Sequence, residues 1–221
     1  MIKLINIQKS YHDGENRQNH VLRGINMEVE NGGFVAIKGA SASGKTTLLS
    51  ILGTLLQPDV GSYLLNNIEL NVPNANLPEI RNKQIGFVFQ DHRLLSQFTA
   101  LENILLPTLA FKNQSDKEEI EYAHHLLELT GISGAANQYP HTLSGGEASR
   151  TVLCRALIMK PLLLLADEPT GQLDVENARN IASLLAEINA SLHTTIVMVT
   201  HSDEISSVAK KIFILENGVL Q

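Results

Sequence analysis

The stretch GASASGKTT, residues 39–47, determines the fold class. It fits the pattern G-x-x-x-x-G-K-[ST] between GFVAIKG, a predicted buried strand, and GKTTLLSILGTLL, whose apolar spacing predicts a helix. Glycines allow such a loop to turn its backbone amides towards an anion, and the amino terminus of the helix adds a partial positive charge. We therefore expect Lys45 to reach the outer phosphates of a nucleotide, and Thr46 to offer its hydroxyl to Mg²⁺.

The amino-acid composition is that of an ordinary globular protein. Of its 221 residues 43% are hydrophobic, and the formal net charge is -6 without a basic stripe, so we expect no nucleic-acid partner. The single cysteine, Cys154, excludes an intramolecular disulfide, and the start MIKLINIQKS lacks the apolar run of a secretion signal. The longest apolar stretch, PLLLLA, is far shorter than the roughly 20 residues that cross a bilayer. We expect a cytosolic chain without direct membrane insertion, which reaches a membrane only through a partner.

The first third of the chain contains strand patterns around the phosphate-binding stretch. Residues 2–7 and 21–29 alternate apolar and polar side chains, which predicts two half-exposed strands joined by a loop that contains glycine and asparagine. After the first helix, QPDVGS indicates a break, and NNIELNVPNANLPE is typical of a loop.

Helical patterns follow between Gln90 and Tyr139, in FTALENILLP and SDKEEIEYAHHLLELTG. The second is predicted to begin with a capping box from Ser115 to Glu118 and to end at Gly131. The strands LLLLAD and TTIVMVT then alternate with the helix VENARNIASLLAEINA. This alternation predicts parallel βαβ units within a mixed sheet.

Two acidic residues lie at the carboxyl end of the strand LLLLAD. Asp167 and Glu168 would lie at the edge where open α/β sheets bind ligands. Asp167 suits a magnesium shell, and Glu168 suits polarising an attacking water. His201, which follows TTIVMVT, would reach the same edge. A histidine after a strand is usually a turn residue. A functional role for His201 is therefore supported only by its expected position at the same sheet edge as Asp167 and Glu168.

The stretch LSGGEASR, residues 143–150, supports two interpretations. Ser144 and Glu147 have the spacing of a capping box, so an ordinary helix start accounts for them. Gly145 and Gly146, however, cost roughly 1 kcal/mol each in helix propensity relative to alanine. Bare amides at a helix amino terminus also form an anion site. A second copy of the protein, turned head to tail, could place this turn against the γ-phosphate that the phosphate loop holds.

Together the motifs resemble those of the nucleotide-binding subunits of ABC transporters. GASASGKTT, Gln90 in FVFQD, LSGGE, LLLLADEPTGQLD and VTH follow the order and approximate spacing of that family over nearly the whole chain. The resemblance implies an α/β fold with a P-loop NTPase (RecA-like) core, an N-terminal antiparallel β subdomain and an inserted helical subdomain. It implies a single ABC ATPase domain, residues 1–221, with the β subdomain mostly in 1–33, the core in 34–90 and 151–221, and the helical subdomain in 91–150.

The resemblance also implies roles for individual residues. Two subunits of the family close over two ATP molecules, so that LSGGE of one meets the phosphate held by the other. Glu168 is then the general base, His201 holds the γ-phosphate and water, and Gln90 contacts magnesium or the attacking water while it senses the membrane partner. The implied catalytic residues are Glu168, His201, Gln90 and Lys45, and the implied magnesium ligands are Thr46, Gln90 and Asp167. The implied nucleotide contacts are Tyr11, which stacks on adenine, and Gly39, Ala40, Ser41, Ala42, Ser43, Gly44, Lys45, Thr46, Thr47, Ser144, Gly145, Gly146, Glu147 and Asp174.

Within the family, FQDHRLLSQFTALENILLP and the variant LSGGE resemble the lipoprotein-releasing (LolD-type) and macrolide-exporter (MacB-type) ATPases. This implies an ATPase whose ATP-driven dimer closure powers an integral-membrane permease at the cytoplasmic face of the inner membrane, with lipoprotein release as its function. A MacB-type efflux ATPase and a cell-division (FtsE-type) regulatory ATPase with little turnover are the alternatives. A chromosome or repair ATPase needs a long coiled coil, for which the segment between the phosphate loop and LSGGE leaves no room.

Four features depart from the family pattern or allow two interpretations. Ala42 replaces a frequent glycine, which the loop tolerates if the φ angle of Ala42 is negative. EASRTVLCRAL differs from the more usual EQQRVAIARAL, so the polar contacts of two glutamines are lost at Ala148 and Ser149. Asp174 would cap the next helix, communicate across the dimer, or do both. The pair Leu94-Leu95 would line a groove for a permease helix or pack in the core.

Overall fold

The structure, a computed structural model, describes residues 1–13, 17–171 and 173–221. The strands are β1 (Ile2–Asp13), β2 (Arg17–Val29), β3 (Phe34–Lys38), β4 (Val60–Leu65), β5 (Ile68–Glu69), β6 (Ile85–Val88), β7 (Leu163–Asp167), β8 (Thr195–Val199), β9 (Lys211–Glu216) and β10 (Val219–Leu220). The helices are α1 (Lys45–Leu52), α2 (Leu77–Gln84), α3 (Ala100–Leu105), α4 (Lys117–Leu129), α5 (Gly145–Leu157), α6 (Val175–Leu192) and α7 (Asp203–Ser206), with 3₁₀ segments at Leu106–Phe111, Ser133–Ala135 and Pro140–Thr142. After an initial β-hairpin, strands and helices follow in turn, except for a second hairpin before α2, three successive helices between β6 and β7, and the final strand pair β9 and β10. The helical stretch and the strand–helix alternation after it agree with the sequence prediction.

The central sheet has the strand order β10-β9-β3-β8-β7-β6. All its neighbouring strands pair in parallel except β10, which is antiparallel to β9. The predicted parallel units are therefore confirmed. Because β3, β6, β7 and β8 run in one direction, their carboxyl ends meet at one edge of the sheet, and the segments that follow these four strands carry the predicted site.

A second, antiparallel sheet has the order β2-β1-β4-β5. Its first two strands extend the predicted ones up to Asp13 and back to Arg17, and the rest of the predicted loop, residues 14–16, lies outside the described residues. The strands β4 and β5 lie where the sequence indicated a break and a loop, so that prediction was wrong. Asn66 and Asn67, with φ angles of 52° and 64°, make the tight turn between them.

Helix α2 also lies partly in the stretch predicted to be a loop, and none of its side chains is fully buried. The start of α4 differs from the prediction by one residue. Asp116, not Ser115, is the cap, and it forms a reciprocal capping box with Glu119. The Ser115 hydroxyl instead lies 2.7 Å from the Thr108 hydroxyl. Aspartate caps a helix as well as serine does, so residue preference alone did not separate the two positions. Helix α4 ends at Leu129, two residues before Gly131, whose φ is 70°.

The central sheet separates two hydrophobic clusters. One packs helices α3 to α6 on the sheet, and the other joins the opposite face to α1 and the antiparallel sheet. Cys154 is buried in the first cluster, and this burial raises the pKa of its thiol to about 12. Of the two leucines left open by the sequence, Leu94 packs against the same cluster and Leu95 is exposed. In the described ranges, no helix has both the length and the apolar character needed to cross a membrane.

Candidate nucleotide site

The phosphate-binding loop joins β3 to α1, as predicted. Gly44 caps the helix with a φ of 102°, a conformation that an L side chain rarely adopts. A Cβ on Gly39 would lie only 2.3 Å from the carbonyl oxygen of Leu215. These glycines permit close backbone packing at the loop, and the start of α1 has no side-chain cap among the described residues. Such a helix start attracts phosphate.

The loop also carries a cation and a buried hydroxyl. Lys45 Nζ donates to the carbonyl oxygens of Gly39 and Ala40, at 2.8 and 2.7 Å. Ser43 Oγ is buried and has no hydrogen-bond partner among the described residues. Thr46 and Thr47 follow in the first turn of the helix. Because a buried hydroxyl without a partner is costly, a phosphate at this position would relieve an existing penalty.

Ala42 does not satisfy the condition set by the sequence. Its φ is +62°, in the left-handed region, and not negative. For an alanine this conformation costs roughly 1–2 kcal/mol, because Cβ approaches the following carbonyl oxygen. The loop is therefore built with backbone strain at a position where glycine would remove it.

Replacing Ala42 with glycine is expected to raise the free energy of unfolding by about 0.5–1 kcal/mol, because relief of the strain exceeds the chain entropy that glycine costs. Urea unfolding of the nucleotide-free protein measures this change. Ala40→Gly is the matched control, since Ala40 lies outside the left-handed region and its replacement should destabilise the protein. Equal destabilisation by both substitutions would show that Ala42 is not strained.

Asp167 ends β7 beside the start of α1. Its partial burial raises the pKa of the carboxyl above its ordinary value, and the negative charge of Glu168 adds to the shift. Lys45 and a hydrogen bond from the Thr46 side chain act in the opposite direction on the same pKa. A carboxylate in this environment gains strongly from a further cation nearby. Together with the Thr46 hydroxyl and the Gln90 amide it offers the hard oxygen ligands that Mg²⁺ prefers, so these residues fit the ion.

Glu168 lies directly after β7 in a strained conformation, with a φ of 45°. Its backbone amide donates to the carbonyl oxygen of Val199 at the end of β8, which holds the turn in place. Carboxylate oxygen Oε1 lies 3.0 Å from Nδ1 of His201, whose side chain is 74% exposed. Oxygen Oε2 is buried without a partner among the described residues. One oxygen is thus oriented by histidine, and the other retains its lone pairs for a water.

Gln90 lies close to the turn that follows Glu168, and Asp174 comes a few residues later in the chain. Gln90 follows β6 by two residues, and its Nε2 packs so close to Gly171 that a Cβ there would be 3.3 Å away. Asp174 caps α6 through both carboxylate oxygens. Its Oδ1 accepts from the backbone amide of Asn177 at 3.0 Å, and its Oδ2 accepts from the side-chain Nδ2 of Asn177 at 2.6 Å. The capping interpretation of Asp174 is confirmed, while its role across a dimer stays a prediction.

The LSGGE turn is a well-formed helix cap. The backbone amide and hydroxyl of Ser144 both donate to Glu147 Oε2, at 2.8 and 2.7 Å, and the Glu147 amide donates to Ser144 Oγ at 3.3 Å. These bonds lower the pKa of Glu147, whose carboxylate is therefore committed to the cap. The amides of Gly145 and Gly146 have no partner within the described ranges. A Cβ on these glycines would approach Leu173 and Asn177, at the start of α6.

A cavity of about 530 Å³ extends from the phosphate loop towards the β-hairpin. Sequence reasoning missed most of its walls, because β2 and the β9–β10 turn carry no motif. Tyr11 is not one of the lining residues; it pairs with Asn19 on the neighbouring strand, and its ring is half exposed. The lining residues are Asn19, His20, Val21, Arg23, Gly39, Ala40, Ser41, Ala42, Ser43, Ile214, Leu215, Glu216, Asn217 and Gly218.

The sequence is similar to known proteins over the segments that form this site. The family model described as ABC transporter matches residues 22–171. The lipoprotein-releasing system ATP-binding protein LolD of Saccharophagus degradans is 42% identical, over 100% of this chain and 96% of that protein. The macrolide export ATP-binding/permease protein MacB of Rhodopirellula baltica is 41% identical, over 100% of this chain and 32% of that longer protein.

A solved structure extends the similarity to three dimensions. The dimeric structure of a post-hydrolysis state of the ATP-binding cassette MJ0796 bound to ADP and Pi has a TM-score of 0.89 and 36% identity, covering 100% of this chain and 97% of that one. The predicted α/β P-loop NTPase fold, with its antiparallel β subdomain and helices, is confirmed. The chain belongs to the ABC transporter family, as an ATP-binding subunit that hydrolyses ATP.

Proposed function

We propose that the chain is the ATPase subunit of a membrane complex that releases lipoproteins. The observation that carries this proposal is the match to a lipoprotein-releasing LolD protein over 96% of that protein's length, at 42% identity. The macrolide-export relative is nearly as similar but is matched over only 32% of its length. Efflux powered by the same kind of ATPase is therefore the second candidate.

In the proposed mechanism, two copies close head to tail over two ATP molecules. The exposed turn of one copy, with its free Gly145 and Gly146 amides, would meet the γ-phosphate held by the phosphate loop of the other. Helix α5 adds the partial positive charge of its amino terminus to this contact. The dimeric cassette structure with ADP and Pi supports this arrangement.

Within one copy, Lys45 would leave the carbonyl oxygens of its own loop and bind the outer phosphates. Glu168 Oε2 would accept a proton from the attacking water, while His201 orients Oε1 and holds the γ-phosphate. Thr46, Asp167 and Gln90 would hold Mg²⁺. When bound, the ion neutralises charge on the phosphate oxygens.

The domain organisation follows the same proposal. Residues 1–221 would form a single ABC ATPase domain with its core in 34–90 and 151–221 and its helical subdomain in 91–150. The pairing of β4 with β1 supports adding residues 60–69 to the β subdomain, which was expected mostly in residues 1–33. The domain would be held at the cytoplasmic face of the inner membrane through an integral-membrane permease.

The partner is tested by affinity purification. Tagged Glu168→Gln protein is recovered from detergent-solubilised native membranes with ATP and Mg²⁺, and the co-purified proteins are identified by mass spectrometry. A permease with a large extracytoplasmic domain, together with lipoproteins, is the expected result. A permease with a periplasmic adaptor would favour efflux instead. If the protein dimerises on ATP and no membrane protein co-purifies, the transport proposal is wrong.

Replacing Ser144 with aspartate is expected to weaken ATP-dependent dimerisation by at least about 10-fold, because a carboxylate would face the partner's γ-phosphate. Aspartate can still accept from the Glu147 amide as a cap, but it loses the hydroxyl bond to Glu147 Oε2, so thermal unfolding without nucleotide checks that α5 keeps its start. Ser144→Asn is the matched control, since asparagine has the shape of aspartate and also caps helices but carries no charge. Sedimentation in the Glu168→Gln background measures the dimer. Equal dimerisation of the two variants would argue against a shared site.

A further inference from the structure

Two hydrogen bonds in series join the segment after Gln90 to the first turn of α5. His92 Nε2 lies 2.8 Å from Ser149 Oγ, and Ser149 Oγ lies 3.0 Å from the carbonyl oxygen of Gly145. Serine has one hydroxyl proton, which this geometry directs to Gly145, so the imidazole must donate the other bond. The series therefore runs from His92 to the first residue of α5.

Arg155 holds the same segment from the other end of α5. Its guanidinium donates to two successive carbonyl oxygens, that of Arg93 at 2.8 Å and that of His92 at 2.9 Å. Arg93 has a φ of 49°, a costly conformation that persists only where neighbouring contacts hold it. The guanidinium of Arg93 also lies over the Phe89 ring, 4.3 Å from its centroid. Arg155 thus fixes a strained turn just beyond Gln90.

The rest of the segment is tied to α3. The buried Asn103 accepts from the Leu95 amide, and its side-chain amide donates to the carbonyl oxygens of Leu95, Phe98 and Thr99. Helix α3 in turn packs on α5. Residues 92–99 are therefore connected to α5 both directly and through α3, and the segment and the helix form one braced unit.

We propose that His92 and Arg155 are positioning residues that make the Gln90 segment and the amino terminus of α5 move together. The inference rests on the proposed function, in which Gln90 contacts the chain's own nucleotide site and Gly145 and Gly146 contact the partner's. The brace would pass a displacement of Gln90 to the face offered to the second copy. The short Ser149 side chain, which stands where a glutamine is more usual, allows His92 to reach the helix.

The first test replaces His92 with leucine in the Glu168→Gln background. We expect the dissociation constant of the ATP-bound dimer to rise 3- to 10-fold, the range of one lost hydrogen bond. ATP affinity at protein concentrations too low for dimers should stay within about 2-fold, because His92 is hydrogen-bonded to Ser149 and Arg155 and, among the described residues, to none in the phosphate loop. His92→Gln should restore the dimer, since its side-chain amide can donate at a similar reach. A general loss of stability would not be rescued in this way, and thermal unfolding without nucleotide checks it.

The second test adds Ser149→Ala, alone and together with His92→Leu. If the two side chains act through their shared hydrogen bond, the double variant should dimerise no more weakly than His92→Leu alone. Additive losses, failure of glutamine to rescue, or unchanged dimerisation in His92→Leu would overturn the inference. A Glu168→Gln parent that stays monomeric with ATP would contradict the proposed shared site, and the inference with it. A parent that dimerises while every variant dimerises equally well would contradict the inference alone.

Discussion

Glu168→Gln is expected to lower the rate of ATP hydrolysis by at least ~100-fold, which is the lower range for loss of a general base. ATP affinity should fall by no more than about 2-fold. The reason is that Glu168 Oε2, buried and without a partner among the described residues, is the atom placed to take a proton from water. Glutamine preserves the shape of the side chain but cannot accept that proton. The variant should therefore accumulate as an ATP-bound dimer.

Phosphate release under saturating ATP measures the rate, and sedimentation measures the dimer. The matched control is Glu187→Gln, an identical change on the exposed side of α6, which should leave turnover unaltered. Turnover in Glu168→Gln within 10-fold of the unmutated rate would mean that another group activates the water. His201 would then be the first residue to test, because it is hydrogen-bonded to Glu168.

Lys45→Ala is expected to weaken ATP binding by at least ~100-fold, because charge-assisted hydrogen bonds to phosphate contribute roughly 1.5–3 kcal/mol each. Its ammonium group already lies inside the loop, on the carbonyl oxygens of Gly39 and Ala40. In the ATP complex the phosphates would replace those carbonyls. Alanine would leave the phosphate charge uncompensated at the start of α1.

Titration calorimetry with Glu168→Gln protein and ATP gives the affinity without interference from hydrolysis. Lys210→Ala is the matched control, since Lys210 is an exposed lysine that precedes β9 and so lies at the opposite end of the parallel strands. Its affinity should match that of the parent. Equal affinity in Lys45→Ala and the parent would rule out the proposed role of the lysine.

The parts of the site predicted best from the sequence are continuous in the chain. The phosphate loop, the acidic pair after LLLLAD and the LSGGE cap each follow from local spacing, and the structure has the corresponding elements. The convergence of Asp167, Glu168 and His201 followed from one topological rule, that parallel strands end at the same edge. No side-chain contact was needed to predict it.

Features that depend on tertiary packing were missed or misjudged. The φ angle of Ala42 is imposed by the loop as a whole, so it could not be predicted from the residue type. The β4–β5 hairpin was hidden because Asn66-Asn67 is a weaker turn signal than Asn-Gly. The cavity walls on β2 and the bracing of His92 by α5 join residues far apart in sequence. A short polar residue such as Ser149 belongs to no periodic sequence pattern, so its long-range hydrogen bonds cannot be predicted from the sequence.

The central claim is that two copies share each ATP site, and a mixing experiment tests it most directly. One chain carries Glu168→Gln with Lys45→Ala, and the other carries Glu168→Gln with Ser144→Asp. Each chain alone should stay monomeric with ATP and Mg²⁺, the first because its loop does not hold ATP and the second because its carboxylate repels the phosphate. In a mixed dimer, the intact loop of the second chain faces the intact turn of the first, and the aspartate faces an empty loop.

Sedimentation velocity of the equimolar mixture, with one chain labelled, is the measurement. The account predicts dimers that contain both chains, that form only with ATP, and that are absent from either chain alone. A mixture in which both chains remain monomeric, while the Glu168→Gln parent dimerises under the same conditions, would contradict it.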